Sequence, residues 1–142
     1  MGYLEEFKRR GRAANPFFLM MGINVDSFGN GQAQLSMEVR PDMLNGAGWL
    51  QGGLYTALCD EAMALALFTS LQEAESIATI SEHTSYLQGV KNGKIVAVGK
   101  VIRKGWQVAF TEGCVFKETY DGAVLSQTKA SFMIIGGANS SR

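Results

Sequence analysis

Asp60 stands inside the most apolar stretch of a 142-residue chain, and a carboxylate there needs a reason. Between Leu54 and Phe68 apolar residues occupy every face: Leu54, Leu58, Ala62, Leu65 and Phe68 mark one side, and Ala57, Met63, Ala64 and Leu67 fill much of the rest. That pattern predicts an enclosed helix. Burying an unpaired carboxylate in it is costly. The helical neighbours of Asp60 are Gly53, Thr56, Ala57, Met63, Ala64 and Leu67, mostly small, which leaves room for something other than protein. A carboxylate at the mouth of an apolar pocket suits base or nucleophile work. The bland alternative is that Asp60 and Glu61 mark one solvated or subunit-facing stripe.

Just upstream, Gly52 and Gly53 open the helix. Helix N-termini present unpaired backbone N–H groups and favour negative charge, the makings of an oxyanion hole, although two glycines can also be only a flexible entry. Arg103-Lys104-Gly105 offers two cations in a tight turn, either a phosphate grip or a solvated edge. The single histidine, His83, argues against a zinc site and against a Ser-His-Asp triad, and it reads as a structural or surface residue on a strand. No Walker-type or dinucleotide-type glycine pattern occurs.

Composition narrows the classes further. Thirteen basic residues balance thirteen acidic ones, so no global field draws the protein to nucleic acid or an anionic membrane. A charged fraction of 18% is low and suggests surface hidden by oligomerisation. Cys59 and Cys114 read as reduced core thiols. The basic start, Lys8, Arg9, Arg10 and Arg12, precedes no apolar signal core, and the later apolar runs are too short to span a bilayer, so a cytoplasmic protein is expected.

The elements that must position these residues follow from periodicity. A short peripheral helix is expected within residues 1–15, stopped or redirected at Asn15-Pro16. Strict alternation from Gln32 to Arg40 predicts a strand with one wet face, and Gly29-Asn30-Gly31 predicts a hairpin to a partner at Gly22–Phe28. After a glycine-rich loop from Pro41, the long helix runs from Gly52 to Ser70, roughly 28 Å at about 1.5 Å per residue. Four strands follow, Ile77–Leu87, Lys94–Arg103, Gln107–Lys117 and Ala123–Ile135, and the short glycine-bearing breaks predict antiparallel neighbours in sequence order. In the third of these, Val108, Phe110, Cys114 and Phe116 share a face suited to the helix. The expectation is one α+β domain over residues 1–142, with a frayed tail at 136–142.

Taken together, Asn45-Gly46, Leu50-Gln51-Gly52-Gly53 and Asp60 resemble the signature of the hotdog-fold acyl-CoA thioesterases of the PaaI-like (phenylacetate-pathway) group. In that group Asn is followed six residues later by His-Gly-Gly and, nine residues beyond the His, by a helical Asp; positions 45, 51 and 60 reproduce both gaps. Thr79–Leu87 is similar to the family's third strand, and Val101–Phe110 to its coenzyme A-contacting hairpin. Gln51 stands for the usual His, Gln88 for a common proline, and Trp106 for a smaller or charged residue.

The resemblance implies a five- or six-stranded antiparallel sheet wrapped around a long central helix, paired protomers and active sites shared between them. It implies acyl-CoA as substrate, coenzyme A being part of that substrate with no further cofactor, in a homodimer or homotetramer. Carried over, Asp60 is the general base or nucleophile, and Gly52 N–H of the partner protomer polarises the thioester carbonyl. Asn45 and Gln51 orient substrate or water, Thr79 holds the hydrolytic water, and Arg103, Lys104 and Gly105 meet coenzyme A phosphates. Gly53, Trp49 and Ala64, with Tyr55, Met63 and Leu67, border an apolar pocket for a small, aromatic or medium-chain acyl group. A non-catalytic acyl-CoA-binding or regulatory domain is the competing function; a dehydratase, which usually needs a histidine near the central helix, fits less well.

Overall fold

The computed structural model describes residues 2–136. Helix α1 (Tyr3–Arg10) and a 3-10 turn (Gly11–Ala14) lead to Asn15-Pro16, which starts a second helix as well as ending the first. The Asn15 side chain accepts a hydrogen bond from Phe17 N–H, Pro16 occupies the first turn, and α2 (Pro16–Met21) closes at Gly22 with φ 70°. Asparagine caps and a proline at the first helical position both favour a start. Because Gly22 closes α2, strand β1 (Asn24–Gly29) begins later than its alternation suggests. It pairs with β2 (Gln32–Val39) through Asn30-Gly31, both at positive φ, as the tight hairpin turn requires.

Helix α3 (Gly52–Phe68) ends slightly short of the expected Ser70. The strands β3 (Glu75–Tyr86), β4 (Gly93–Lys104), β5 (Val108–Lys117) and β6 (Val124–Gly136) complete one antiparallel sheet of six, in the order β1-β2-β4-β5-β6-β3. This is the hotdog arrangement. Sequence order fails at one point: β3 does not neighbour β4 but lies at the far edge beside β6. The reason lies in residues 87–92. Leu87 N–H bonds to Leu125 O, Val90 N–H to the Tyr55 hydroxyl, and Leu50 N–H to Val90 O, so the segment is tied across the start of α3 instead of folding back as a hairpin.

The face of β5 turned to the helix is the reverse of the expected one. Ala109, Thr111, Gly113 and Val115 are buried beneath α3, whereas Phe110 is half exposed and Cys114 and Phe116 lie on the outer side. Small residues win because the helix comes close. A Cβ on Gly99 would stand 2.5 Å from Met63 N, and one on Gly113 would stand against Cys59 Sγ. Gly99 and Gly113 are cross-strand partners, so together they form a shallow seat for Cys59, Ala62 and Met63, all wholly buried. The tail expected at 136–142 falls, beyond Gly136, outside the described residues.

The seat generates a stability test. Gly99→Ala forces helix backbone to move and should lower unfolding stability by about 2 kcal/mol, read as a lower urea midpoint. Gly46→Ala, where a Cβ meets nothing within 4 Å, serves as the control and should leave the midpoint in place.

Candidate active site

A polar seam runs between α3 and the edge strand β3. On the helix, Gly52, Thr56 and Asp60 recur every four residues; on the strand, Tyr86, Thr84 and Glu82 recur every two, and the two lines meet pair by pair. The Tyr86 hydroxyl donates to Gly52 O at 2.9 Å and lies 3.0 Å from Thr56 Oγ1. Thr56 Oγ1 and Thr84 Oγ1 are 2.8 Å apart, and Thr84 continues to Thr128 on β6 at 3.0 Å. Four helical residues advance about 6 Å and two strand residues about 6.6 Å, so the antiparallel match holds over three steps. The third step brings the Glu82 carboxyl within hydrogen-bonding reach of Asp60.

Asp60 is half-buried, and its Oδ1 is fully buried with no hydrogen-bond partner among the described residues. Opposite it, Glu82 is exposed as a residue, but its carboxyl is partly enclosed by the seam. That enclosure, then the hydrogen bond to Asp60, then the charges of Asp60 and Glu61, push its pKa up to about 8. Burial likewise pushes the Cys59 thiol up to about 12, so it stays protonated and inert in the core, as expected for a reduced core cysteine. Glu61 does not share a stripe with Asp60. It accepts a hydrogen bond from Asn15 Nδ2 at 3.1 Å, Asn15 also donates to the Tyr3 hydroxyl at 2.9 Å, and burial raises the Glu61 pKa. Glu61 thus anchors the N-terminal segment.

The other expected site residues are distributed unevenly. Gly52 and Gly53 open α3 behind Gln51, whose side chain makes no cap and leans instead over Gly53. The first helical N–H groups are therefore left for an outside acceptor. Asn45 spends its side-chain oxygen on the N–H groups of Ala47 and Trp49, at 2.9 and 3.1 Å, and so shapes the loop that leads to the glycines. Trp49 packs beside Gly89 with the Lys91 ammonium 4.5 Å over its ring. Tyr55, Met63 and Leu67 are buried in the protomer core and do not border an open pocket, whereas Ala64 is half-buried one turn beyond Asp60.

Thr79 lies on β3 opposite Phe132, at the bulge between Thr79 and Ser81. Arg103, Lys104 and Gly105 close the β4–β5 hairpin, with Lys104 paired to Ala109 and Ala109 to Phe132, which places the hairpin level with Thr79. Gly52, held to Tyr86, is at the opposite end of β3. Among the described residues no cluster of three or more His, Cys, Asp or Glu is arranged to hold a metal ion. Thr56, Glu82, Thr84 and Tyr86 had no part in the expected site. The signal for them lies in the amino-acid order itself, where a four-residue helical step is set against a two-residue strand step.

Comparison with known proteins bears on the fold and the family. The sequence profile of the thioesterase superfamily matches residues 47–123, more than half of the chain. A Mycobacterium tuberculosis protein named provisionally as an esterase is 24% identical over 105 residues, 68% of this chain and 75% of its own. A thioesterase structure from Haemophilus influenzae superposes with a TM-score of 0.80 at 20% identity, covering 90% of this chain and 88% of that one. A mutant of the phenylacetic acid degradation protein PaaI from Thermus thermophilus superposes with a TM-score of 0.76 at 23% identity, covering 84% and 98%. With a hotdog sheet, a helical carboxylate behind a Gly-Gly start and this profile match, the chain belongs to the thioesterase superfamily, whose chemistry is the hydrolysis of thioesters.

Proposed function

We propose that the protein is an acyl-CoA thioesterase that converts a small, aromatic or medium-chain acyl-CoA to free acid and coenzyme A, with Asp60 as general base or nucleophile. The observation that carries this reading is the buried Asp60 Oδ1 without a donor, on a helix whose neighbouring residues are otherwise apolar or paired. Such an oxygen is suited to take a proton from water or to attack a carbonyl carbon directly. The carbonyl oxygen must meanwhile be stabilised by a donor at about 3 Å. Gly52 N–H is the donor this chain offers.

Gly52 and Asp60 of the same helix cannot serve one thioester, because eight residues separate them by about 12 Å along the axis. A second copy of the chain resolves the distance. Strand β3 is a twelve-residue sheet edge with most of its residues exposed. An exposed edge of that length invites pairing. Two copies paired antiparallel about a two-fold axis exchange the ends of β3, bringing the Tyr86 and Gly52 end of one protomer toward the Thr79 end of its partner. In that dimer Arg103, Lys104 and Gly105 stand near the partner's helix start, where coenzyme A phosphates are to be held. Thr79 and Gln51 orient the reacting water or carbonyl, and Gly53, Ala64 and Trp49 contribute to the acyl pocket. Asn45 acts by fixing the Gly52 loop. No resident cofactor is required, since coenzyme A arrives with the acyl group. Ile80, Ile102, Phe110 and Met133 are all exposed and supply apolar area on which a homotetramer, as against a homodimer, would be built.

Asp60→Asn should lower kcat on its best acyl-CoA by at least about 10²-fold with little change in KM, and should leave the urea midpoint unchanged or raised because one of two facing carboxyl groups is gone. Gly52→Pro removes the N–H while keeping a residue favoured at the first helical turn, and Gln51, at φ −63° and ψ 131°, already has the conformation a following proline prefers. It should cost about 10²-fold in kcat. Wild-type turnover in Asp60→Asn contradicts the role of the carboxylate, and acyl-CoA binding without thiol release across short, medium, long and aromatic substrates favours the binding-domain reading. Light scattering should give a mass at least twice the 15.4 kDa of the chain; a monomer at micromolar concentration contradicts the shared site.

A further inference from the structure

The reading of Asp60 as base or nucleophile leaves Glu82 unexplained. Its place is not accidental, because the seam that pairs Tyr86 with Gly52 and Thr84 with Thr56 delivers Glu82 to Asp60 at its third step. Two carboxyl groups in hydrogen-bonding reach inside a partly enclosed seam repel one another when both are ionised, which favours a proton on Glu82.

We propose that Glu82 is a positioning residue for Asp60: its protonated carboxyl donates a hydrogen bond that orients the Asp60 carboxylate for reaction, and loss of that proton sets the alkaline limit of activity. The surroundings allow this assignment. On α3 the facing ionisable groups are Asp60, Glu61 and the neutral Cys59 thiol. Behind Glu82, β6 contributes Ala130 and Thr128, which cannot ionise at these pH values. His83 and Lys129 pair with each other one position along, on the opposite face of the sheet. Among the described residues no cation forms a salt bridge with either carboxylate, so the proton itself is what relieves their repulsion.

The sign follows from the raised pKa of about 8: Glu82 carries its proton below that pH and becomes a second carboxylate above it. Hydrolysis should therefore fall as pH rises through this range, with kcat/KM at pH 9 about tenfold below its value at pH 7 once uncatalysed hydrolysis is subtracted. Glu82→Gln keeps a donor but cannot ionise. It should retain turnover at pH 7 within about threefold and vary by less than about twofold between pH 7 and 9. A Glu82→Gln profile that superimposes on the wild type overturns the proposal.

A second readout does not depend on turnover. In carbon-detected NMR of the wild-type protein the Glu82 carboxyl should titrate near pH 8, and in Asp60→Asn it should titrate lower, while the enclosure that remains keeps it above the ordinary carboxylate range. A Glu82 that titrates in the ordinary range in both proteins overturns the proposal. If no thioester is turned over at all, the thioesterase reading fails, and this titration alone decides whether the pair exists.

Discussion

The close seating of α3 on Gly99 and Gly113 is the constraint on which the rest of the structure depends. Because neither glycine carries a side chain, Cys59, Ala62 and Met63 drop onto the sheet at a separation that any Cβ would forbid. Contact this close fixes the roll of the helix. With Cys59 pressed on the sheet, Asp60 points about 100° around the helix, toward β3. Thr56 and Gly52, one and two turns earlier, follow the same side. The polar seam is thus a consequence of backbone packing elsewhere, and changes in the seat should reach the site through the angle of the helix.

The seam also explains how an apolar helix tolerates a carboxylate. Thr56 and Thr84 satisfy one another and Tyr86 satisfies Gly52 O, so the polar groups on this side are paired until Asp60 is reached. Asp60 keeps a buried oxygen without a donor; among the described residues Ser126 Oγ on β6 is the other buried side-chain oxygen without a partner. An unmet acceptor of this kind is expensive and is commonly kept for function. Within one protomer its reach ends there, because the donors at the helix start are two turns away.

Much of this was legible in the sequence. Alternation located most strands, apolar saturation located α3, and the odd placement of Asp60 among small neighbours singled it out as the centre of the candidate site. The spacing of Asn45, Gln51 and Asp60 added the hotdog expectation that the sheet and the profile match bear out. Other features were not legible because they are tertiary. The position of β3 beside β6 depends on hydrogen bonds from residues 87–92 to Leu50, Tyr55 and Leu125, which no local pattern encodes. The inverted face of β5 depends on how closely the helix approaches; hydrophobicity favours Phe110 and Phe116, but only Ala109, Thr111, Gly113 and Val115 fit. Helix α2 was hidden because Asn-Pro reads equally as a stop and as a capped start. Glu82 was hidden because its significance depends on register with a distant helix.

The central claim is that a reacting thioester is held by Asp60 of one protomer and the helix start of the other. Its most direct test is subunit complementation, in which Asp60→Asn and Gly52→Pro chains, each nearly inactive alone, are unfolded together in equal amounts and refolded. Random pairing makes half of the dimers mixed, and each mixed dimer holds one site with both groups intact, so about one quarter of wild-type activity should return. Activity no greater than the mean of the two separate variants would mean that both groups act within a single chain and would contradict the account.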